Sequence, residues 1–181
     1  MCGIFGRVSF ETALTLRDIE SCREAVLALR HRGPDAGGEW HDARIYMGQR
    51  RLAIIDLSDA ANQPFEDDTG RYALTYNGEI YNYRELKREL EAEGVRFRTE
   101  SDTEVLLAAW IRWGEAALKR LDGMFSIAIH DRKESRHTLI RDPIGQKPLY
   151  YAAAPEGVVY ASELRSLLAL PDRAWKLDKT A

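Results

Sequence analysis

Cys2 stands directly after the initiator methionine. If Met1 is removed, Cys2 carries a free α-amine beside its own thiol. Such an amine has a pKa of roughly 7.7–8.0, against roughly 10.4 for a lysine. A useful fraction is therefore neutral near pH 7 and can take the thiol proton, giving a nucleophile with no histidine involved. Position alone favours an incidental, buried cysteine. The surrounding CGIFG shifts the balance, because Gly3 and Gly6 let backbone run close to a ligand. Asn77-Gly78-Glu79 is the second feature. An isolated Asn-Gly reads most simply as a hairpin turn. It can also present the Asn77 amide and the Gly78 N–H to an oxygen that develops negative charge. The two readings are compatible. Arg51 opens RLAIID, where a guanidinium could clamp a carboxylate with two parallel hydrogen bonds. Arg50 would point to the opposite face of a strand. Asp102 follows Ser101 at a helix start, a place where the helix dipole favours an acid. With Glu79 it could instead meet an ammonium. One cation and one or two anions is the set that an amino-acid zwitterion requires.

Other chemistries lack their residues. Cys22 lies on an apolar helix stripe and belongs to a core. The four histidines have no metal-ligand spacing and there is no CxxC, so no metal is expected. Neither GxGxxG nor GxxxxGK[ST] occurs, so no nucleotide cofactor is expected in this segment. The chain has 181 residues, 26 Lys+Arg against 29 Asp+Glu, and a formal net charge of -3. With no basic excess, binding to nucleic acid or to an anionic membrane surface is disfavoured. No apolar run approaches the roughly 20 residues that cross a bilayer, and no secretory leader is visible. Two cysteines make no disulfide framework. These features point to the reducing cytoplasm.

The elements that must hold these residues are legible from periodicity. A strand is expected over Cys2–Phe10 and a helix over Leu16–Arg30, with Ile19, Cys22, Val26 and Leu29 as its stripe. Strands follow at Arg44–Gly48, Arg51–Asp56 and Arg71–Asn77. Capping-box patterns at Asn82/Glu85 and Ser101/Glu104 open two more helices. Leu86 and Leu90 mark the buried face of the first, and Leu106, Ala109, Trp110 and Trp113 that of the second. Further strands are expected at Met124–His130, His137–Asp142, Leu149–Tyr151 and Val158–Ala161, then a short helix over Ser162–Ala169. This order is an α+β pattern. No linker divides residues 2–181, which read as one domain. The closing PDRAWKLDKTA carries no stop signal and reads as the entry to further chain.

In order along nearly the whole sequence, MCGIFG, HRGPD, RLAIID, YNGEIYN, SDTEVLL, LDGMFSIAI, RDPIGQKPLYY and ASEL resemble the N-terminal glutaminase domain of glutamine-dependent asparagine synthetases. The resemblance implies a four-layer αββα N-terminal nucleophile hydrolase sandwich, two antiparallel sheets between helices. It implies that Cys2 attacks the side-chain amide of L-glutamine, with Asn77 and Gly78 stabilising the oxyanion. Arg51 would hold the substrate carboxylate, Glu79 and Asp102 its amine, and backbone groups of Leu52, Ala53, Ile54 and Ile55 would line the pocket. The ammonia released would serve a C-terminal synthetase domain using ATP and Mg, which amidates aspartate or another carboxylate. That domain, with its SGG[LVI]DS-type loop, is absent from this sequence. The competing expectation is a non-catalytic regulatory or docking domain. Such a chain would lose Cys2 or the Asn-Gly-Glu donors first, and both are present.

Overall fold

The computed structural model describes residues 1–172 and Trp175. Most of the closing segment therefore lies outside the described residues. The first sheet holds β1 (Gly3–Ser9), β2 (Ala36–His41), β3 (Ile45–Arg51), β8 (Tyr150–Ala154) and β9 (Gly157–Ala161) in the order β2-β3-β1-β9-β8. The second holds β4 (Phe65–Glu66), β5 (Tyr72–Ile80), β6 (Gly123–Asp131) and β7 (Arg136–Arg141) in the order β4-β5-β6-β7. Every neighbouring pair is antiparallel. The helices are α1 (Leu16–Leu27), α2 (Tyr83–Ala92), α3 (Asp102–Trp113) and α4 (Leu164–Leu168).

Alternation along the strands makes the layers. Phe5, Tyr46, Val159 and Ala161 face outward, against Cys22, Val26 and Leu29 of the α1 segment and Leu167 of α4. Leu74, Tyr76, Ile127 and Ile129 form the outer face of the second sheet, under Leu86, Leu90, Leu106, Ala109 and Trp110 of α2 and α3. Ile4, Met47, Ala73, Ala128 and Tyr160 fill the space between the sheets. Burying each large aliphatic chain contributes about 1.5–3 kcal/mol, so three contiguous clusters hold the four layers together. The αββα sandwich is the one the resemblance implied.

Several local expectations are corrected. In place of the two strands expected between residues 44 and 56 there is one, Ile45–Arg51. The stretch Leu52–Asp56 leaves the sheet because Ala53 N–H donates to Asp35 Oδ2 (2.9 Å) instead of to a strand neighbour. β2 and β4 were not expected: the small residues of AGGEWH hide a strand pattern, and β4 spans only Phe65–Glu66. The first helix stops at Leu27, and its capping box is Thr15 with Asp18. Asn82 makes no cap; its side chain bridges Arg120 O and Asp122 N. Ser101 does cap α3 by accepting Thr103 N–H, but Glu104 accepts Arg98 and Thr99 N–H rather than closing a box. Asn77-Gly78 is no hairpin turn. It lies inside β5, opposite Ser126 and Phe125.

Candidate active site

The strand alternation that builds the core also builds the cleft. Cys2 has the parity of Ile4, Arg51 that of Met47, and Asn77 that of Ala73, so all three point between the sheets at one end of the sandwich. The cleft there is lined by Cys2, Arg51, Leu52, Ile54, Ile55, Asn77, Gly78, Glu79 and Asp102, together with Met1, Tyr76 and Lys147. Nearly every residue expected at the site therefore meets in one place. Ala53 is the exception: it is not in the lining, and its N–H is turned to Asp35. Gly3 and Gly6 are not in the cleft lining either. They make room for Leu29 and for the Tyr160 ring, where a Cβ on Gly6 would lie 2.2 Å from Tyr160 Cζ.

The Cys2 thiol reaches Leu52 O (3.6 Å) and accepts Leu52 N–H (3.4 Å). Burial pushes this thiol above its ordinary value, while Leu52 N–H, the chain's N-terminal ammonium and Arg51 pull it back. Arg32 Nε donates to Cys2 O (2.9 Å), and Arg32 Nη1 pairs with Glu163 Oε1 (3.0 Å), so HRGPD and ASEL together fix the backbone of the cysteine. Gly33 lets that segment lie on β3: a Cβ there would sit 2.3 Å from Arg50 C. His31 also bonds Glu163 (3.0 Å) and is not in the cleft lining.

Arg51 is buried and donates to Ser58 O (2.9 Å), Asn62 Oδ1 (2.8 Å) and Asp56 O, which shapes the loop covering the cleft. Arg50 points the other way, to Gly33 O (3.0 Å). Asp102 Oδ2 accepts the Tyr76 hydroxyl (2.9 Å) and Ile80 N–H (3.1 Å). Burial raises its carboxyl above the usual range, against the pull of those donors. The Glu79 carboxylate has no hydrogen-bond or ion-pair partner among the described residues, so it is uncommitted.

Two donors in the cleft are free. Asn77 is 1% exposed and its Nδ2 has no partner. Buried amides are almost always paired, so this one marks a place for an acceptor. Gly78 sits opposite Phe125, whose own N–H goes to Asp142 Oδ2 (3.2 Å) and whose carbonyl accepts Asp142 N–H (2.9 Å). Antiparallel pairing alternates, so Gly78 N–H turns away from β6, as Tyr76 N–H does toward Gln63 Oε1 (2.6 Å). Donors from adjacent residues thus border the same cleft as the thiol.

Sequence reasoning gave no role to Tyr76, Gln63 or Lys147. Tyr76 and Lys147 lay inside motifs already singled out, but only the fold shows that they reach the cleft. Among the described residues no group of His, Cys, Asp and Glu could hold a metal.

A cysteine thiol one residue from the chain start, lining the inter-sheet cleft of an αββα sandwich, is the arrangement of the N-terminal nucleophile hydrolases. Residues 1–181 match the glutamine amidotransferase domain family, and the chain belongs to that family. It is 42% identical to asparagine synthetase [glutamine-hydrolyzing] 1 of Bacillus subtilis over 100% of its own length and 28% of that protein. It is 36% identical to asparagine synthetase [glutamine-hydrolyzing] 3 of the same organism, over 99% of the chain and 29% of the relative. The chain thus spans less than a third of these relatives. Among solved structures, the glutamine phosphoribosylpyrophosphate amidotransferase of B. subtilis superposes with a TM-score of 0.76 at 26% identity, covering 93% of this chain and 43% of that one.

Proposed function

We propose that this domain hydrolyses L-glutamine to glutamate and ammonia through Cys2. The observation that carries the reading is the unpartnered Asn77 amide in the same cleft as the Cys2 thiol, a cleft whose charges fit an amino-acid zwitterion. With Met1 removed, the α-amine of Cys2 takes the thiol proton. The thiolate adds to the side-chain amide carbon of glutamine. Asn77 Nδ2 and Gly78 N–H donate to the oxyanion, an interaction that strengthens as charge develops. The amine returns the proton to the departing nitrogen, the C–N bond breaks, and ammonia leaves a γ-glutamyl thioester. Water, deprotonated by the same amine, cleaves the thioester to glutamate and restores the thiol. Arg51 holds the substrate carboxylate; Glu79 and Asp102 hold its ammonium. The reaction uses only the protein's own groups and calls for no cofactor.

The relatives' length supports a downstream synthetase domain, using ATP and Mg, that takes the ammonia to amidate aspartate. A catalytic thiol that must stay reduced supports a cytoplasmic setting, and no helix among the described residues is long and apolar enough to cross a membrane.

The test is a glutaminase assay on protein whose Met1 removal is verified by intact mass, with Cys2→Ala beside it. In the longer protein, Cys2→Ala should abolish glutamine-dependent amide synthesis and spare synthesis from ammonium salt. A form retaining Met1 should match Cys2→Ala, because a peptide-bonded nitrogen is no base. Full glutamine-dependent activity in that form would overturn the mechanism.

A further inference from the structure

Lys147 is a buried cation in the cleft, 5% exposed, that the mechanism above does not use. Its backbone is fixed from both sides. Its N–H donates to Asp142 Oδ2 (2.9 Å), and its carbonyl accepts Arg141 Nε (2.7 Å). Asp142 is itself an acid whose burial is outweighed by the N–H groups of Lys147, Gln146, Phe125 and Gly145, which hold it below the usual carboxylate range. The RDPIGQKP segment is therefore a rigid turn that aims one side chain into the cleft. That side chain ends 3.3 Å from Met1 Sδ, beside the start of the chain.

Of the other charges around the cleft, all but the Glu79 carboxylate are engaged among the described residues. Arg51 is spent on Ser58, Asn62 and Asp56, and Arg32 on Cys2 O and Glu163. Asp102 is bound by Tyr76 and Ile80. Asp56 accepts Ser58 and Glu100 N–H, and Glu79 is unpaired. Among the described residues, Lys147 is the cleft cation whose side chain has no oxygen partner. The one hydrogen-bond contact of its ammonium among the described residues is with Met1, the residue whose removal the mechanism requires.

We propose that Lys147 tunes the base: its ammonium, set beside the chain start, keeps the freed α-amine of Cys2 unprotonated at neutral pH. The inference rests on the N-terminal nucleophile reading above. Two like charges at close range disfavour each other. An α-amine is the weaker base, with a pKa of roughly 7.7–8.0 against roughly 10.4 for a lysine, so the penalty falls on the amine. An amine held neutral is ready to accept the thiol proton. Lys147 is a positioning residue, acting on the base rather than on glutamine.

The test is the pH profile of kcat/KM for glutamine hydrolysis in Met1-free protein, verified by intact mass. The acidic limb reports protonation of the free enzyme's base. Lys147→Met removes the charge and keeps the length; Lys147→Arg keeps the charge. The limb of Lys147→Met should move up by about half a pH unit or more, the smallest shift expected for one charge at contact range. Lys147→Arg should stay with the parent. Lys147→Gln serves as a second neutral variant if Lys147→Met misfolds, and should shift in the same direction. An unmoved limb in a folded neutral variant, or an equal shift in Lys147→Arg, overturns the inference. A parent chain with no glutaminase activity fails the underlying reading instead, so the two failures are distinct.

Discussion

The Tyr76 hydroxyl donates to Asp102 Oδ2 at 2.9 Å, which joins the outer face of β5 to the first residue of α3. One oxygen of Asp102 is thereby occupied by Tyr76 and Ile80, and the helix start is pinned to the strand that carries Asn77 and Gly78. The helix layer thus delivers an acid to a cleft that otherwise belongs to the sheets.

Asp102→Asn should separate stability from binding. The raised carboxyl means that, as pH increases, the unfolded chain releases this proton before the folded one does. Native stability therefore falls as pH rises from about 3.9 through the raised folded-state value. An asparagine can accept both hydrogen bonds with its carbonyl and does not titrate. Thermal melts at pH 7 should show a Tm equal to or above the parent, while KM for glutamine rises about tenfold or more from the lost charge. In the parent, KM should climb as pH drops into the acidic range, because Asp102 protonates earlier than an exposed aspartate. A flat KM there would remove Asp102 from substrate binding.

Arg51→Lys should raise KM for glutamine by about tenfold or more, the scale of one lost charge-assisted hydrogen bond. A single ammonium cannot hold Ser58, Asn62 and Asp56 and also meet a carboxylate as a planar fork. Steady-state kinetics with the parental KM would free Arg51 from the substrate. Arg50 could not replace it, since its side chain is tied to Gly33 on the other face.

Asn77→Ala should lower kcat by about 10²–10³ and leave KM nearly unchanged, as expected for a donor that acts in the transition state. Its amide has no structural partner to lose, so the Tm should hold. A raised KM with intact kcat would make Asn77 a substrate-binding residue.

Gly78→Ala should fail on both counts. An added Cβ would lie 2.2 Å from Met124 O and 2.6 Å from Tyr76 Cε2. Relief requires β5 and β6 to part, at a cost of about 1–3 kcal/mol. Unfolding curves should show that loss, and the displaced N–H should depress kcat as well.

Much of this site was legible before the fold was known, because its chemistry is written in residue types. Cys2, Arg51, Asn77, Glu79 and Asp102 were chosen for charge and position, and they meet in one cleft. Local geometry was less legible. Asn-Gly has the strongest hairpin signal of any short pair, yet β5 continues through it, held to β6 along its whole length. Long-range pairing overrode a local preference. Ala53 fell outside the lining for a related reason: Asp35, distant in sequence, captured its N–H. Lys147 escaped notice because a lysine in a turn normally reaches solvent, and only the clamp of Asp142 and Arg141 turns it inward.

The place of β1 in its sheet has a consequence for timing during synthesis. The strand that Cys2 leads into lies between β3 and β9, with Phe5 paired to Ala161. On the ribosome the cysteine emerges first, yet β9, which flanks β1 on one side, follows only after the rest of both sheets, and such distant pairing closes late. Until β9 arrives, β1 has only β3 beside it, which leaves the N-terminus open to an aminopeptidase that would trim Met1. The nascent chain carries its nucleophile from the start but has no cleft to put it in. Ammonia release should therefore begin only when the domain is complete, so half-made chains do not squander glutamine.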